Sequence, residues 1–314
     1  MNTMTTEKIT LPVSLNMKKI GQIGLISVFS FFVQALMTSI LPFTPEFEIM
    51  IKENQSNFSG IIAYSFLIHL IKVIIIFCIC SYSAKSKISL FISLFFTLFI
   101  VEFFNMQIET WYFRKAFPVL SVIDIFLLMG VGILPLVISI FLGIKFFIGK
   151  NRQNNLLQKS PFNFISIISV LSVLGIIYTI IYFVFGYFVA WQYKEVQAFY
   201  SGQFFNSFSG QMQNNWEAMA EIFPFQFLRG IIFAFAGYLL FQLTEFKTKM
   251  FFLLSFLLFI IPGLLLLIHN PLFPEVVRMA HFYEVSTSMI LFSTIVSWGF
   301  STSIKVLNEK QVII

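Results

Sequence analysis

Charge is what this sequence has least of. Of its 314 residues only 11% are charged, against 58% that are apolar and 44 that are phenylalanine. A water-soluble fold needs more polar surface than such a composition can make, so lipid must serve as solvent for most of the chain. Cysteine is nearly absent as well. Cys78 and Cys80 are the only two, and two residues apart on a helix they point roughly 200° from each other, which excludes an easy bridge and leaves them as inert core thiols. The chain lacks a Walker-type phosphate loop, a G-x-G-x-x-G, an H-E-x-x-H and a G-x-S-x-G. Those absences exclude primary pumps and kinases, and no cofactor is expected. There is no internal repeat and no charged or proline-rich low-complexity tract.

The net charge of +6 reads as a consequence of membrane orientation and not as a nucleic-acid signal, because the basic residues flank apolar runs. Eight such runs are present, at about 20–43, 58–82, 88–106, 118–144, 162–190, 223–244, 250–268 and 279–304. Each is long enough for a bilayer core of roughly 30 Å at about 1.5 Å per helical residue. The first follows Lys8, Lys18 and Lys19, is too long for a signal-peptide core and lacks an A-x-A-like cleavage site, so it is expected to remain as a span. The fold expected is therefore an all-α integral membrane bundle of about eight transmembrane helices, organised as one membrane domain over residues 1–314.

Orientation follows from sorting the basic residues by segment. One set of segments holds Lys8, Lys18, Lys19, Lys85, Lys87, Lys145, Lys150, Arg152, Lys159, Lys247, Lys249, Lys305 and Lys310; the other holds only Lys52, Arg114, Lys115, Lys194 and Arg278. The positive-inside rule then places both termini in the cytoplasm. The outer segment at 191–222 mixes amides (Gln192, Gln197, Gln211, Asn214) with aromatic rings (Trp191, Tyr200, Phe205, Trp216). That mixture suits the headgroup region, and the segment is expected to be an interfacial helical hairpin or cap, with a disordered loop as the alternative. The N-x-S triplets at Asn54 and Asn57 are too common by chance to imply glycosylation.

Ionisable groups at membrane depth cost roughly 2.5 to 3.5 kcal/mol on insertion scales, so each is a site hypothesis with a partner to be found. Glu102, Asp124, Arg229 and Glu284 lie on four spans near their outer ends. On span 8, His281, Glu284 and Ser288 share one helix face with Arg278 at its edge, which is expected to look inward. Three readings stay open for this set. It can line an outward-facing polar cavity for a small polar or lipid-derived ligand. It can be the centre of an enzyme using His281 or Glu284 as general base on a lipid-linked substrate. It can also be a set of structural staples. The H-x-x-E pair supplies two of the ligands a metal would need, with Glu102 or Asp124 to complete the shell. A secondary pair, His69 and Lys72, lies one turn apart on span 2 near mid-depth, with no acid at the same depth to serve Lys72. Gly230, Ala234 and Gly237 form a small-residue packing stripe. Gly130, Gly132 and Pro135, and Pro262 with Gly263, predict kinks.

The stretch His269-Asn270-Pro271-Leu272-Phe273-Pro274-Glu275 leading to Arg278, His281 and Glu284, with Arg229-Gly230 upstream, resembles a group of uncharacterised bacterial multi-span membrane proteins. The likeness runs from Phe227 to the C-terminus. It implies a bacterial inner-membrane setting and no particular substrate, with the lipid bilayer as the main partner.

Overall fold

The computed structural model describes residues 15–53, 58–148, 162–245 and 247–312, with side chains described through Ser303 except Phe58. Asn54, Asn57, Lys8, Lys150, Arg152 and Lys159, and the side chains of Lys305 and Lys310, lie outside the described residues. Every regular element described is helical. The α-helices are α1 (Met17–Ile40), α2 (Pro45–Glu53), α3 (Phe58–Tyr82), α4 (Lys87–Phe99), α5 (Asn105–Tyr112), α6 (Val122–Val131), α7 (Ile133–Phe147), α8 (Phe164–Phe188), α9 (Lys194–Tyr200), α10 (Phe208–Met219), α11 (Ile222–Leu243), α12 (Thr248–Phe259), α13 (Ile261–Leu265) and α14 (Glu275–Val312). Their starts follow short polar side chains that accept from otherwise orphaned N–H groups: Asn16 for α1, Ser86 for α4, Asn163 for α8 and Ser207 for α10.

Seven helical stretches are long and apolar enough to cross a membrane: Met17–Ile40, Ser59–Tyr82, Lys87–Tyr112, Val122–Phe147, Phe164–Gln192, Ile222–Leu243 and Thr248–Leu265. They make this a multi-pass helical membrane protein. The large apolar side chains left outside the bundle, such as Leu25, Phe32, Phe126, Ile165 and Trp298, more than half exposed each, are what a lipid-facing surface requires.

The run expected at 279–304 lies within α14, which is not among the seven. Ser286, Thr287, Ser288, Ser293, Thr294, Ser297 and Ser301 dilute its apolar content. Several of these hydroxyls donate to carbonyls of their own helix, Ser288 to Val285 and Ser293 to Ile290 among them, which lowers the cost of carrying them inside. The helix is nonetheless central: Val277, Phe292, Val296 and Phe300 are fully buried.

Span 3 is longer than its apolar run. Expected to stop at 106, the helix continues through a π-turn at Ile100–Phe104 and α5 to Tyr112. Asn105, Gln107 and Glu109 interrupt the apolar pattern, but α11 meets two of them. The Asn105 amide donates to the Arg229 carbonyl at 3.2 Å, and Glu109 pairs with Arg229. Polar residues satisfied by a neighbour do not end a membrane helix.

The breaks fall where proline and glycine predict them. The α6–α7 junction is at Gly132, three residues before Pro135, and the α12–α13 junction is at Ile260, followed by Pro262. Gly132 has no room for a side chain, because a Cβ there would overlap the Phe103 ring. The small-residue stripe of α11 works at two crossings. Gly230 lies against Gly175 of α8, and Gly237 lies against Val296 of α14. The segment at 191–222 forms α9 and α10. It is tied together by Gln197, whose amide donates to the Trp191 carbonyl at 2.7 Å and accepts from the Phe205 N–H at 2.6 Å.

Candidate functional site

The residues singled out from sequence do not form one cluster through direct contacts; they divide among five. Asp124 sits at the start of α6, where its carboxylate accepts from the Thr44 N–H at 2.8 Å, the Thr44 hydroxyl at 2.6 Å, and the N–H and hydroxyl of Ser121 at 3.0 and 2.6 Å. This capping box is saturated and holds the turn after α1 onto α6. Three of these four donors converge on Oδ2 and one reaches Oδ1, so the carboxylate is engaged in holding the cap. Replacing Asp124 by Ala should lower stability by about 2 kcal/mol, through the lost cap and the freed Thr44 donors, in equilibrium unfolding of the purified protein.

Arg278 is also structural. Its guanidinium donates to the carbonyls of Leu266 and Leu267 at 2.7 and 3.2 Å, capping the end of α13, while Glu275 touches it at 3.7 Å from an exposed position.

Lys72 does have an acid at its depth, contrary to the expectation from sequence. Its ammonium donates to Glu102 Oε1 at 2.7 Å, and both side chains are 2% exposed or less. Because span 3 extends to Tyr112, Glu102 lies near the middle of that span and not a few residues from its end. One turn from Lys72, His69 Nδ1 lies 2.8 Å from the Ser30 hydroxyl, and Ser139 donates to Ser30 at 2.8 Å, so α1, α3 and α7 meet in one polar contact.

Arg229 finds its counter-charge in Glu109, a residue that the sequence reading passed over by ending span 3 too early. The pair is bidentate, Nη1 to Oε1 at 2.5 Å and Nη2 to Oε2 at 2.7 Å. Nη1 also donates to Gln226 Oε1 at 2.9 Å, and the rings of Tyr178, Phe225 and Phe233 lie within 6 Å of the guanidinium. Arg229 is enclosed, whereas the Glu109 side chain is 26% exposed.

His281 and Glu284 do touch, as their shared face on α14 requires, with Nδ1 2.7 Å from Oε2. In the tautomer that carries its proton on Nδ1, the imidazole donates to Glu284 and presents Nε2 as an acceptor. That Nε2 is buried without a partner among the described residues, and the imidazole ring lies edge-on to the Tyr200 ring, centroids 5.5 Å apart, and 6.0 Å from the Phe273 ring.

Tyrosines connect the last two pairs. Tyr178, Tyr182 and Tyr200 each lie within electrostatic reach of both Glu109 and Glu284. On α8 they continue to Gly186, one turn beyond Tyr182, where a Cβ would stand 3.9 Å from Glu284 Oε1. On α9, outside the spans, burial and the two carboxylates push the Tyr200 phenol well above its ordinary value, so it stays a neutral hydroxyl. Around this region Asn105 Oδ1, Gln226 Nε2, Arg229 Nε and His281 Nε2 are buried polar atoms with no partner among the described residues. Beside it, Phe188, Val189, Gln192, Tyr193 and Tyr283 line an open crevice of about 500 Å³.

Among the described residues no group of three or more His, Cys, Asp and Glu side chains could hold a metal. With Glu102 on Lys72 and Asp124 capping α6, neither completes the shell considered for His281 and Glu284. Compared with known proteins, the chain matches no family model, no curated protein and no solved structure.

Proposed function

We propose that this is a multi-pass protein of a bacterial inner membrane that binds a small polar or lipid-derived ligand among α5, α8, α11 and α14. The charge bias of its loops supports eight spans, with α14 as the eighth, and cytoplasmic termini, so this end of the bundle faces outward. The observation that carries the reading is the group of unpartnered buried polar atoms around the Arg229–Glu109 and His281–Glu284 pairs. Buried donors and acceptors are almost always satisfied, and where the protein leaves several open together, a polar guest or ordered water takes them. A lipid-derived guest fits because the adjoining crevice is lined largely by aromatic side chains.

A second reading rests on the His281–Glu284 contact alone. An imidazole oriented by a carboxylate, with Nε2 free, is the arrangement of a general base. In that reading the protein is a membrane-embedded enzyme that activates a hydroxyl or water against a lipid-linked substrate at the outer leaflet.

Replacement of Glu284 by Gln tests the site. The expected result is a protein whose unfolding free energy changes by no more than about 1 kcal/mol but which fails to complement a strain lacking the gene. Full complementation with a clearly destabilised protein would make the pair a staple. His281→Gln separates the two site readings: an enzyme loses turnover but keeps ligand, and a binder loses ligand.

A further inference from the structure

A different group of charges lies deeper in the bundle. Glu102 occupies the π-turn at Ile100–Phe104, where the Asn105 N–H reaches back to the Ile100 carbonyl. Single π-turns inside α-helices are uncommon and concentrate at functional positions. The Phe103 ring of this turn packs on Gly132, at the break between α6 and α7, so two helix irregularities face each other. Within this region Glu102 uses Oε1 for Lys72, while Oε2 is buried with no partner. The Glu109 carboxylate differs, since the forked guanidinium of Arg229 engages both of its oxygens.

Polar groups continue from Glu102 toward the end of the bundle that carries α9 and α10. Asn105 follows one turn along the same helix, with Oδ1 unpartnered, and Glu109 follows one turn further, partly exposed. Glu102, Asn105 and Glu109 thus set polar side chains along one helical stretch, from its middle, where Glu102 meets α3, to the site described above, where Asn105 and Glu109 meet α11. On the opposite side of Lys72, His69 joins Ser30 and Ser139.

We infer that the Lys72–Glu102 pair is a proton-exchange site, reached by water along the Asn105–Glu109 face of the helix. The ligand is a proton, taken up on Glu102 Oε2 to form the neutral acid and released from it to regenerate the carboxylate. Uptake leaves the Lys72 ammonium without its counter-charge, so loading and unloading bias the packing of α3 against the π-turn. The other charges on neighbouring elements are committed elsewhere. On α11, Arg229 is held by Glu109, and on α6, Asp124 is held by Thr44 and Ser121. α13 carries no ionisable residue, and on α3 only His69 stands near Lys72. This inference rests on the membrane-spanning reading; its route borders the ligand site at Asn105 and Glu109, but the Lys72–Glu102 pair itself belongs to no part of that site.

Infrared difference spectra of the full-length protein in lipid nanodiscs, recorded while the pH is lowered, test it. The wild type should show the C=O stretch of a newly protonated, water-poor carboxyl, and Glu102→Gln should lose that band while Glu284→Gln keeps it. Lys72→Gln, which retains Glu102, should show the band at a proton concentration at least about tenfold lower, since the stabilising cation is gone. This second variant keeps the test decisive if Glu102→Gln does not fold. An unchanged band in Glu102→Gln, or no such band in the wild type, would overturn the proposal. A band that Lys72→Gln leaves in place would overturn it as well. Survival of the band in a protein whose Glu284→Gln variant complements fully would remove the ligand site alone.

Discussion

Glu109→Ala is expected to lower the unfolding free energy by about 3 kcal/mol, the low end of what removing one partner of a buried ion pair costs. The low end applies because the Glu109 side chain is 26% exposed and its loss admits water to Arg229. Arg229 itself is the source of the penalty. Enclosed by Tyr178, Phe225 and Phe233, its guanidinium would keep only Gln226 and the Asn105 carbonyl as acceptors. The companion result makes the argument specific. Arg229→Met combined with Glu109→Leu removes both charges, leaves an apolar crossing between α5 and α11, and should recover most of the loss. Equilibrium unfolding of Glu109→Leu, Arg229→Met and their combination in mixed micelles measures the cycle. Independent, additive losses would show that the bidentate contact contributes little.

Substitutions at Gly230 should also be damaging, through sterics and not charge. A Cβ at this position would lie 2.9 Å from both the Cα and the carbonyl oxygen of Gly175, and 2.7 Å from Tyr178 Cβ. Backbone atoms on both sides of a crossing cannot rotate away, so α8 and α11 must separate. Gly230→Ala is expected to cost about 1 to 3 kcal/mol, and Gly230→Leu more than that. The same change at Gly24 in α1, where nothing lies within 4 Å, should instead be neutral or stabilising by up to about 1 kcal/mol, since alanine is the better helix former. Thermal melting of the two alanine variants side by side gives opposite signs if the crossing is the cause. Because Arg229 and Tyr178 adjoin these glycines, Gly230→Ala should also disturb the polar site, which a loss of complementation would register.

Much of the bundle was legible in the sequence because a bilayer imposes a length and a solvent on each segment. The apolar runs at 58–82 and 223–244 coincide with helical stretches within a residue or two, and helices break at Gly132 and at Ile260, two residues before Pro262. Two errors have one cause. Reading apolarity alone ended span 3 at 106, since Asn105, Gln107 and Glu109 look like a loop when their partners are out of view. That shortened helix placed Glu102 near a span end and hid Glu109 altogether. The spacing of Asn105 and Glu109 one helical turn apart, continuing from Glu102, was the available signal. Reading α14 as a span raised the opposite difficulty, because its serines lower its apolarity while its phenylalanines pack at the centre.

Composition and local chemistry by themselves determined that the chain is helical and suited to lipid, where its helices start and break, and that His281 and Glu284 share a face. Those properties depend on solvent transfer and on contacts between residues close in sequence. The tertiary structure alone decided which charges meet: Lys72 with Glu102 across 30 positions and Arg229 with Glu109 across 120. It also decided that Asp124 and Arg278 serve as caps. Pairing across that distance depends on the rotation and axial shift of each helix against its neighbours, which small-residue crossings such as Gly175 with Gly230 set and which no single segment encodes.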